Sequence, residues 1–225
     1  MKKSNTDKMV EILRLLKPEM NGAVTGEMEK RGVRYGLNYG VAIPVIRRVA
    51  RQYAPDHALA GYLFRQDVRE LKLAAVYIGD PGRTTAEQME AWADAMPADE
   101  IMEHAAMNLF HASPDADTII SIWTTADDRK RQKGALHMIG RRVLSGLAGS
   151  DQARGYLQLI ENSLLEGGGL PVRATVYALC RIGESNRELH AETVKAAERL
   201  VLSPSDPIRE AAEETLALLE YSTWN

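Results

Sequence analysis

Asp127-Asp128-Arg129-Lys130-Arg131-Gln132-Lys133-Gly134-Ala135-Leu136-His137-Met138-Ile139-Gly140-Arg141-Arg142-Val143-Leu144 reads as a single amphipathic helix. At helical periodicity Ala135, Leu136, Ile139 and Val143 fall on one side. Lys130, Lys133, His137 and Arg141 fall on the other, spaced i, i+3, i+7, i+11. Asp127 or Asp128 can cap the start, where a carboxylate meets the positive end of the helix dipole. Arg141 and Arg142 suit the negative end. The outward row is cationic although the whole chain carries a formal net charge of -3. Any electrostatic affinity for a polyanion therefore has to come from a local patch. The alternative for this row is an ordinary solvated face.

Further helices flank this one. Asn5 or Thr6 can cap a first helix that carries Met9, Ile12, Leu13, Leu15 and Leu16 and ends near Pro18. A short second helix holds Val24 and Met28. Gly32-Val33-Arg34-Tyr35-Gly36-Leu37-Asn38-Tyr39-Gly40 lacks a phosphate-loop Lys-Ser/Thr and reads as a turn that brings backbone close to a helix. Pro44 opens the next helix at a first-turn position, where its missing N–H costs nothing. Val45, Ile46, Val49 and Tyr53 form its apolar side, and Arg47, Arg48 and Arg51 lie opposite. Val68 to Ile78 is apolar nearly all round, the mark of an inner helix. Helical stretches follow at 86–96, 99–110, 115–124, 152–165, 172–182, 190–202 and 208–219. A Gly167-Gly168-Gly169 break lies among them.

A pattern recurs along the chain. Asp67-Val68-Arg69-Glu70 runs into Leu71-Lys72-Leu73-Ala74-Ala75, Pro171-Val172-Arg173 into Ala174-Thr175-Val176, and Asp206-Pro207-Ile208-Arg209 into Glu210-Ala211-Ala212. Asp128-Arg129-Lys130 leads to Gly134-Ala135-Leu136 in the same phase. An Asp or Pro opens each unit, a basic residue follows, and small residues then permit close helix contact. The interval, about 30 to 45 residues, is that of two-helix solenoid repeats. The expected fold is all-α, a HEAT-like or armadillo-type superhelix of antiparallel helix pairs forming one repeat domain over 1–225. An irregular helical bundle is the alternative.

In such a superhelix the outward residues of the repeat helices become neighbours on a concave face. Lys130, Lys133, His137 and Arg141 then lie beside Arg173, Tyr177 and Arg181, with Arg47, Arg48 and Arg51 further along. Cations with an interleaved aromatic suit a phosphate backbone, and Tyr177 can stack on sugar or base. Arg69 and Arg209 are expected to pair with Asp residues of an adjacent repeat. Trp92 and Trp123 are expected in the core, and Trp224 lies in the tail.

Composition narrows the classes. Cys180 is the single cysteine, so an internal disulfide and a cysteine-rich zinc site are excluded. His57, His111 and His190 have no partners at metal-ligand spacing. No apolar run approaches membrane-spanning length, and no apolar signal core follows Met1-Lys2-Lys3-Ser4. A soluble, cytoplasmic protein without metal or cofactor is expected.

Tyr39-Gly40-Val41-Ala42-Ile43-Pro44-Val45-Ile46-Arg47-Arg48 and Asp67-Val68-Arg69-Glu70-Leu71-Lys72-Leu73-Ala74-Ala75 resemble the opening repeats of the AlkD-like DNA alkylation repair family. The resemblance extends from about Lys30 to Arg181. It implies HEAT-like repeats and duplex DNA gripped by its backbone, without metal or organic cofactor. Active members are DNA glycosylases that excise cationic alkylated purines. In the family an Asp sits a turn after a Trp on the helix before the basic one. The matching helix here, Asp99 to Leu109, has no Trp, and Glu103, His104 or Ala105 stands where the Asp falls. Lys133 takes the place of a groove arginine and Tyr177 that of a groove tryptophan. Three readings follow: a DNA binder with little or no glycosylase activity, an active alkylpurine glycosylase using Glu103, and a scaffold whose basic groove holds an acidic protein partner. If Glu103 and His104 have no such role, they are exposed helix residues.

Overall fold

A computed structural model describes residues 3–167 and 169–224, and every regular element among them is a helix. The chain divides into two compact units, Met1–Pro114 and Asp115–Asn225. Gly168, in the expected glycine break, lies outside the described residues.

The first unit holds α1 (Asn5–Leu16), α2 (Gly22–Lys30), α3 (Ile43–Ala50), α4 (His57–Phe64), α5 (Arg69–Ile78), α6 (Ala86–Asp94) and α7 (Asp99–Asn108). Ser4, not Asn5 or Thr6, caps α1. Its hydroxyl accepts from the Asp7 N–H while the Asp7 carboxylate accepts from the Ser4 N–H, so two orphan donors are satisfied reciprocally. Pro44 lies in the first turn of α3 as expected. The sequence did not announce α4, a short helix capped by Asp56, whose carboxylate accepts from the Leu59 N–H.

α5 packs against α3, α4 and α7. Every residue of α5 except Tyr77 is buried. Lys72 belongs to that buried set because its ammonium donates to the Phe64 carbonyl at 2.9 Å, at the end of α4, and lies over the Phe64 ring. Trp92 stacks on Phe64 with ring centroids 3.8 Å apart, a core position as expected. Such a pair contributes roughly 0.5–1.5 kcal/mol beyond the area it buries.

The second unit holds α8 (Ala116–Thr124), α9 (Arg129–Leu144), α10 (Ser150–Leu165), α11 (Val172–Gly183), α12 (Arg187–Val201) and α13 (Asp206–Leu219). Consecutive helices pair as α8 with α9, α10 with α11 and α12 with α13. Across the pairs, α9, α11 and α13 form one layer and α8, α10 and α12 the other. Trp123 is fully buried, again as expected. Asp128 caps α9 by accepting from the Lys130 and Arg131 N–H groups. Arg142 turns inward: its guanidinium donates to the Tyr156 hydroxyl at 2.8 Å and to Asp117 at 3.1 Å, joining three helices.

One repeated packing device was invisible in the sequence. Ile78-Gly79, Ile139-Gly140 and Ile182-Gly183 fall at equivalent places, and each glycine meets a large side chain from further along its own unit. A methyl group at Gly79 would lie 2.9 Å from Leu109 Cδ2, and one at Gly183 2.9 Å from Leu219 Cδ2. At Gly140 it would lie 2.3 Å from the Tyr177 ring. At Gly79 and Gly183 a flexible leucine end would have to shift, whereas at Gly140 the rigid Tyr177 ring lies too close for any side chain.

The glycine-rich connection does bring backbone onto a helix. Leu37 forms an isolated parallel bridge with Val68, and the buried Glu70 carboxylate accepts from the Tyr39 and Val41 N–H groups. Arg69, 4% exposed, donates to the Val41 carbonyl and pairs with Glu70 and with Glu100 on α7 at 2.6 Å. The Tyr35 hydroxyl donates to the same Glu100 carboxylate. The partner of Arg69 on the next inner helix is thus a glutamate and not the expected aspartate. Arg209 instead pairs with Asp206 within α13. Burial pushes the Glu100 pKa up, but Arg69 and Tyr35 outweigh it, and the net displacement is downward.

Arg69→Met should destabilise the fold by about 3 kcal/mol, because it leaves the Glu70 charge buried without its cation. Urea denaturation measures this. A depressed carboxyl pKa contributes stability that is complete above the ordinary pKa and lost as pH falls through the folded-state value. The difference between wild type and variant should accordingly shrink in acid.

Candidate nucleic-acid interface

Between its ends, α9 leaves one stripe of its middle turns unburied. Gln132, Ala135, Leu136, Met138, Ile139 and Arg142 are buried, whereas Lys130, Lys133, His137 and Arg141 are half-buried. The row expected from the sequence thus exists, but it is a lined surface on an inner helix and not a fully solvated face. Tyr177 reaches it from α11. Its ring lies 5.3 Å from that of His137 and rests over the bare backbone of Gly140. Arg181, one turn further along α11, holds its guanidinium 5.8 Å from the same ring. Burial raises the Tyr177 pKa, with Arg181 and Arg141 acting in the opposite direction, so the phenol keeps its proton at neutral pH. Arg173, in the first turn of α11, is exposed.

The hydrogen-bond account of this surface is incomplete in one direction. Arg141 Nε, Arg181 Nε and the Tyr177 hydroxyl are buried and have no partner among the described residues. All three are donors. A buried donor left unsatisfied costs about 1–3 kcal/mol, and an acceptor arriving beside this ring would relieve that cost. Arg181 gives its outer nitrogens to Glu184. Arg141 has no carboxylate partner among the described residues, in contrast to Arg142, Arg154 and Arg199 in the same unit.

The first unit carries a second cluster. Arg47 of α3 places its guanidinium 5.2 Å from the Tyr77 ring centroid. The Tyr77 hydroxyl lies 2.8 Å from His104 Nδ1 on α7. Arg47 Nε is buried without a partner among the described residues. Arg48 and Arg51 are exposed, and Arg51 acts electrostatically on Tyr77. His104 is therefore not the exposed helix residue the sequence allowed. Burial first, and Arg47 after it, lower its pKa, so the ring is neutral at pH 7. Tyr77 escaped notice because the sequence marks its helix as apolar nearly all round, although it is the one residue of α5 that is not buried. His104 was among the candidates on its helix, but its pairing with Tyr77, 27 residues away, was not legible.

α7 presents Glu100, Glu103, His104, Met107 and Asn108 as its half-buried stripe. Ala105 is fully buried and leaves the candidate set. Glu100 is held by Arg69 and Tyr35. Glu103 lies close enough to His104 to act on it electrostatically. One turn after His104 stands Asn108, whose amide donates to the His104 carbonyl at 2.8 Å. Among the described residues no group of His, Cys, Asp and Glu could hold a metal ion, and no helix is long and apolar enough to cross a membrane.

Comparisons with known proteins bear on the family and the fold. The family described as DNA alkylation repair enzyme matches residues 12–214. A solved structure described as a new family of proteins related to the HEAT-like repeat DNA glycosylases, with affinity for branched DNA structures, is 15% identical. It superposes with a TM-score of 0.72 over 96% of this chain and 97% of that one. That likeness fixes the fold as HEAT-like. A designed armadillo repeat protein is 15% identical over 79% of this chain and 92% of its own, with a TM-score of 0.35. No curated protein matches the chain at a significant level.

Gly140→Ala should displace the Tyr177 ring from α9, because the ring carbons are the atoms a Cβ would strike. Overpacking of this kind costs roughly 1–3 kcal/mol. The expected outcome is a lowered melting temperature with loss of the His137–Tyr177 contact, read from the ring resonances of both residues. In Gly140→Ala/Tyr177→Ala the stability penalty of the alanine at 140 should disappear.

Proposed function

Because the chain belongs to the DNA alkylation repair enzyme family, we propose that it binds duplex DNA by its backbone and excises alkylated purines weakly or not at all. The binding surface is the α9–α11 face: Lys130, Lys133, His137, Arg141, Arg173, Tyr177 and, added by its position over the Tyr177 ring, Arg181. Arg47, Arg48 and Arg51 supply further cations from α3. The unsatisfied donors Arg141 Nε, Arg181 Nε and Tyr177 hydroxyl carry the reading. A phosphodiester oxygen is an anionic acceptor that satisfies such donors, and its counterions return to bulk on binding. The affinity for branched DNA described for the structurally similar protein makes a four-way junction a natural second probe beside linear duplex.

The weak-excision part rests on α7. Cleavage of an N-glycosidic bond develops positive charge on the sugar, which a positioned carboxylate stabilises. On this helix Glu100 is committed to Arg69, His104 is neutral, and the residue one turn beyond His104 is the uncharged Asn108. Loss of one positioned charge stabiliser commonly costs about 100- to 1,000-fold in rate. The competing reading makes Glu103 the catalytic carboxylate, and its proximity to His104 is the observation in favour.

Lys133→Ala/Arg141→Ala should weaken duplex binding and lower the slope of log K against log salt by about one per lost phosphate contact. Fluorescence anisotropy across a salt series gives both quantities. A wild type that ignores duplex and junction at low salt, yet binds an acidic protein, would replace this reading with the scaffold.

Release of 7-methylguanine and 3-methyladenine from alkylated duplex should stay near background for wild type and for Glu103→Gln alike. Robust wild-type release that collapses in Glu103→Gln would establish the active reading.

A further inference from the structure

Resting on the DNA-binding reading above, we propose that the first unit has its own phosphate site, in which Arg47, Tyr77 and His104 hold one backbone phosphate and His104 takes up a proton as it arrives. Each of three packed helices contributes one of these residues: α3, α5 and α7. The guanidinium of Arg47 lies 5.2 Å from the centre of the Tyr77 ring, whose hydroxyl is 2.8 Å from His104 Nδ1. The two rings meet nearly edge-on, with centroids 5.9 Å apart and an interplanar angle of 65°.

Arg47 is the first reason for an anion. It is half-buried, its Nε has no partner, and no carboxylate pairs with it among the described residues. Glu100, which like Arg47 acts on His104, is occupied by two nitrogens of Arg69 and by the Tyr35 hydroxyl. A partly desolvated guanidinium without a counter-charge gains more from an arriving anion than a solvated one does.

The hydrogen-bond polarity of the pair supplies the second. The Tyr77 phenol keeps its proton at neutral pH, since burial raises its pKa against the opposing pull of Arg47 and Arg51. A protonated phenol can donate to Nδ1 of a neutral imidazole, which leaves the hydrogen on the other ring nitrogen. His104 then offers one N–H donor beside Arg47. No donor is needed from the ligand, which suits a phosphodiester that has only acceptors to give.

Protonation follows from the charges around the ring. Arg47 on α3 and Arg69 on α5 act against imidazolium, Glu100 and Glu103 on α7 act for it, and burial outweighs the acids. A phosphate next to Arg47 cancels part of the cationic repulsion and adds an anion of its own. The bound-state pKa of His104 therefore exceeds the free-state value. Affinity is constant above both values, rises as pH falls between them, and levels off below the free one.

The experiment follows the His104 ring proton by NMR from roughly pH 5 to 8. It uses the full-length chain carrying Lys133→Ala/Arg141→Ala, with and without the single-stranded oligonucleotide dT6. The expected result is a rise of the His104 midpoint by about one pH unit, the low end of what an opposite charge nearby produces. Arg47→Gln should abolish the rise, and Tyr77→Phe should reduce it while leaving the circular dichroism spectrum intact. An unchanged midpoint at saturating dT6, in a protein whose wild type still binds duplex, would overturn this site and leave the second-unit surface standing. A wild type that binds no duplex, with a His104 midpoint indifferent to dT6, would overturn both.

Discussion

An inner helix of this fold is covered on nearly every side, and the placement of its polar residues follows from that constraint. On α5 only Tyr77 is not buried, and on α9 the half-buried row narrows to a stripe led by Lys130, Lys133, His137 and Arg141. A polar side chain on such a helix has two options. It can bring a partner into the interior, as Arg69, Lys72 and Arg142 do, or it can lie on the stripe. Unsatisfied interior charge costs several kcal/mol, so few residues fall between these options. The candidate surface consists of what the stripes carry.

Charge disposal distinguishes the two groups of arginines. Arg69, Arg142, Arg154 and Arg199 each meet acids of other helices. Those pairs cross-link helices within each unit and offset the charge of each arginine. Arg47 and Arg141 meet none among the described residues. A chain of formal net charge -3 can therefore present cationic stripes, because its acids lie elsewhere or are already engaged. Aromatic rings accompany these cations in both units: Arg47 with Tyr77, and Arg181 with Tyr177.

The two units reach similar chemistry by different placements. In the first, the arginine, tyrosine and histidine come from three helices. In the second, the histidine comes from α9, while the tyrosine and the overlying arginine share α11. Equivalent repeat positions do not hold equivalent residues. Tyr77 and Arg181 both immediately precede an Ile-Gly pair, one as the ring and the other as the cation over a ring. What recurs is the bare glycine that lets the next inner helix come close.

By itself the sequence determined the helical class, the repeat, the cationic row of α9 and the place of Tyr177 beside it. These depend on periodicity and local capping, which act within one or two turns. Trp92 and Trp123 were legible as core for the same reason. Local rules faltered where two choices were nearly equal: Ser4 took the α1 cap because Asp7 completes a reciprocal pair, and α4 was too short to stand out. Tertiary structure decided the rest. It gave Glu100 to Arg69, turned Arg142 inward while Arg141 stayed on the stripe, set Tyr77 against His104 across 27 residues, and laid Tyr177 on Gly140. Each of these depends on which side chain the next helix brings within a few ångströms, and spacing along one helix carries no record of that.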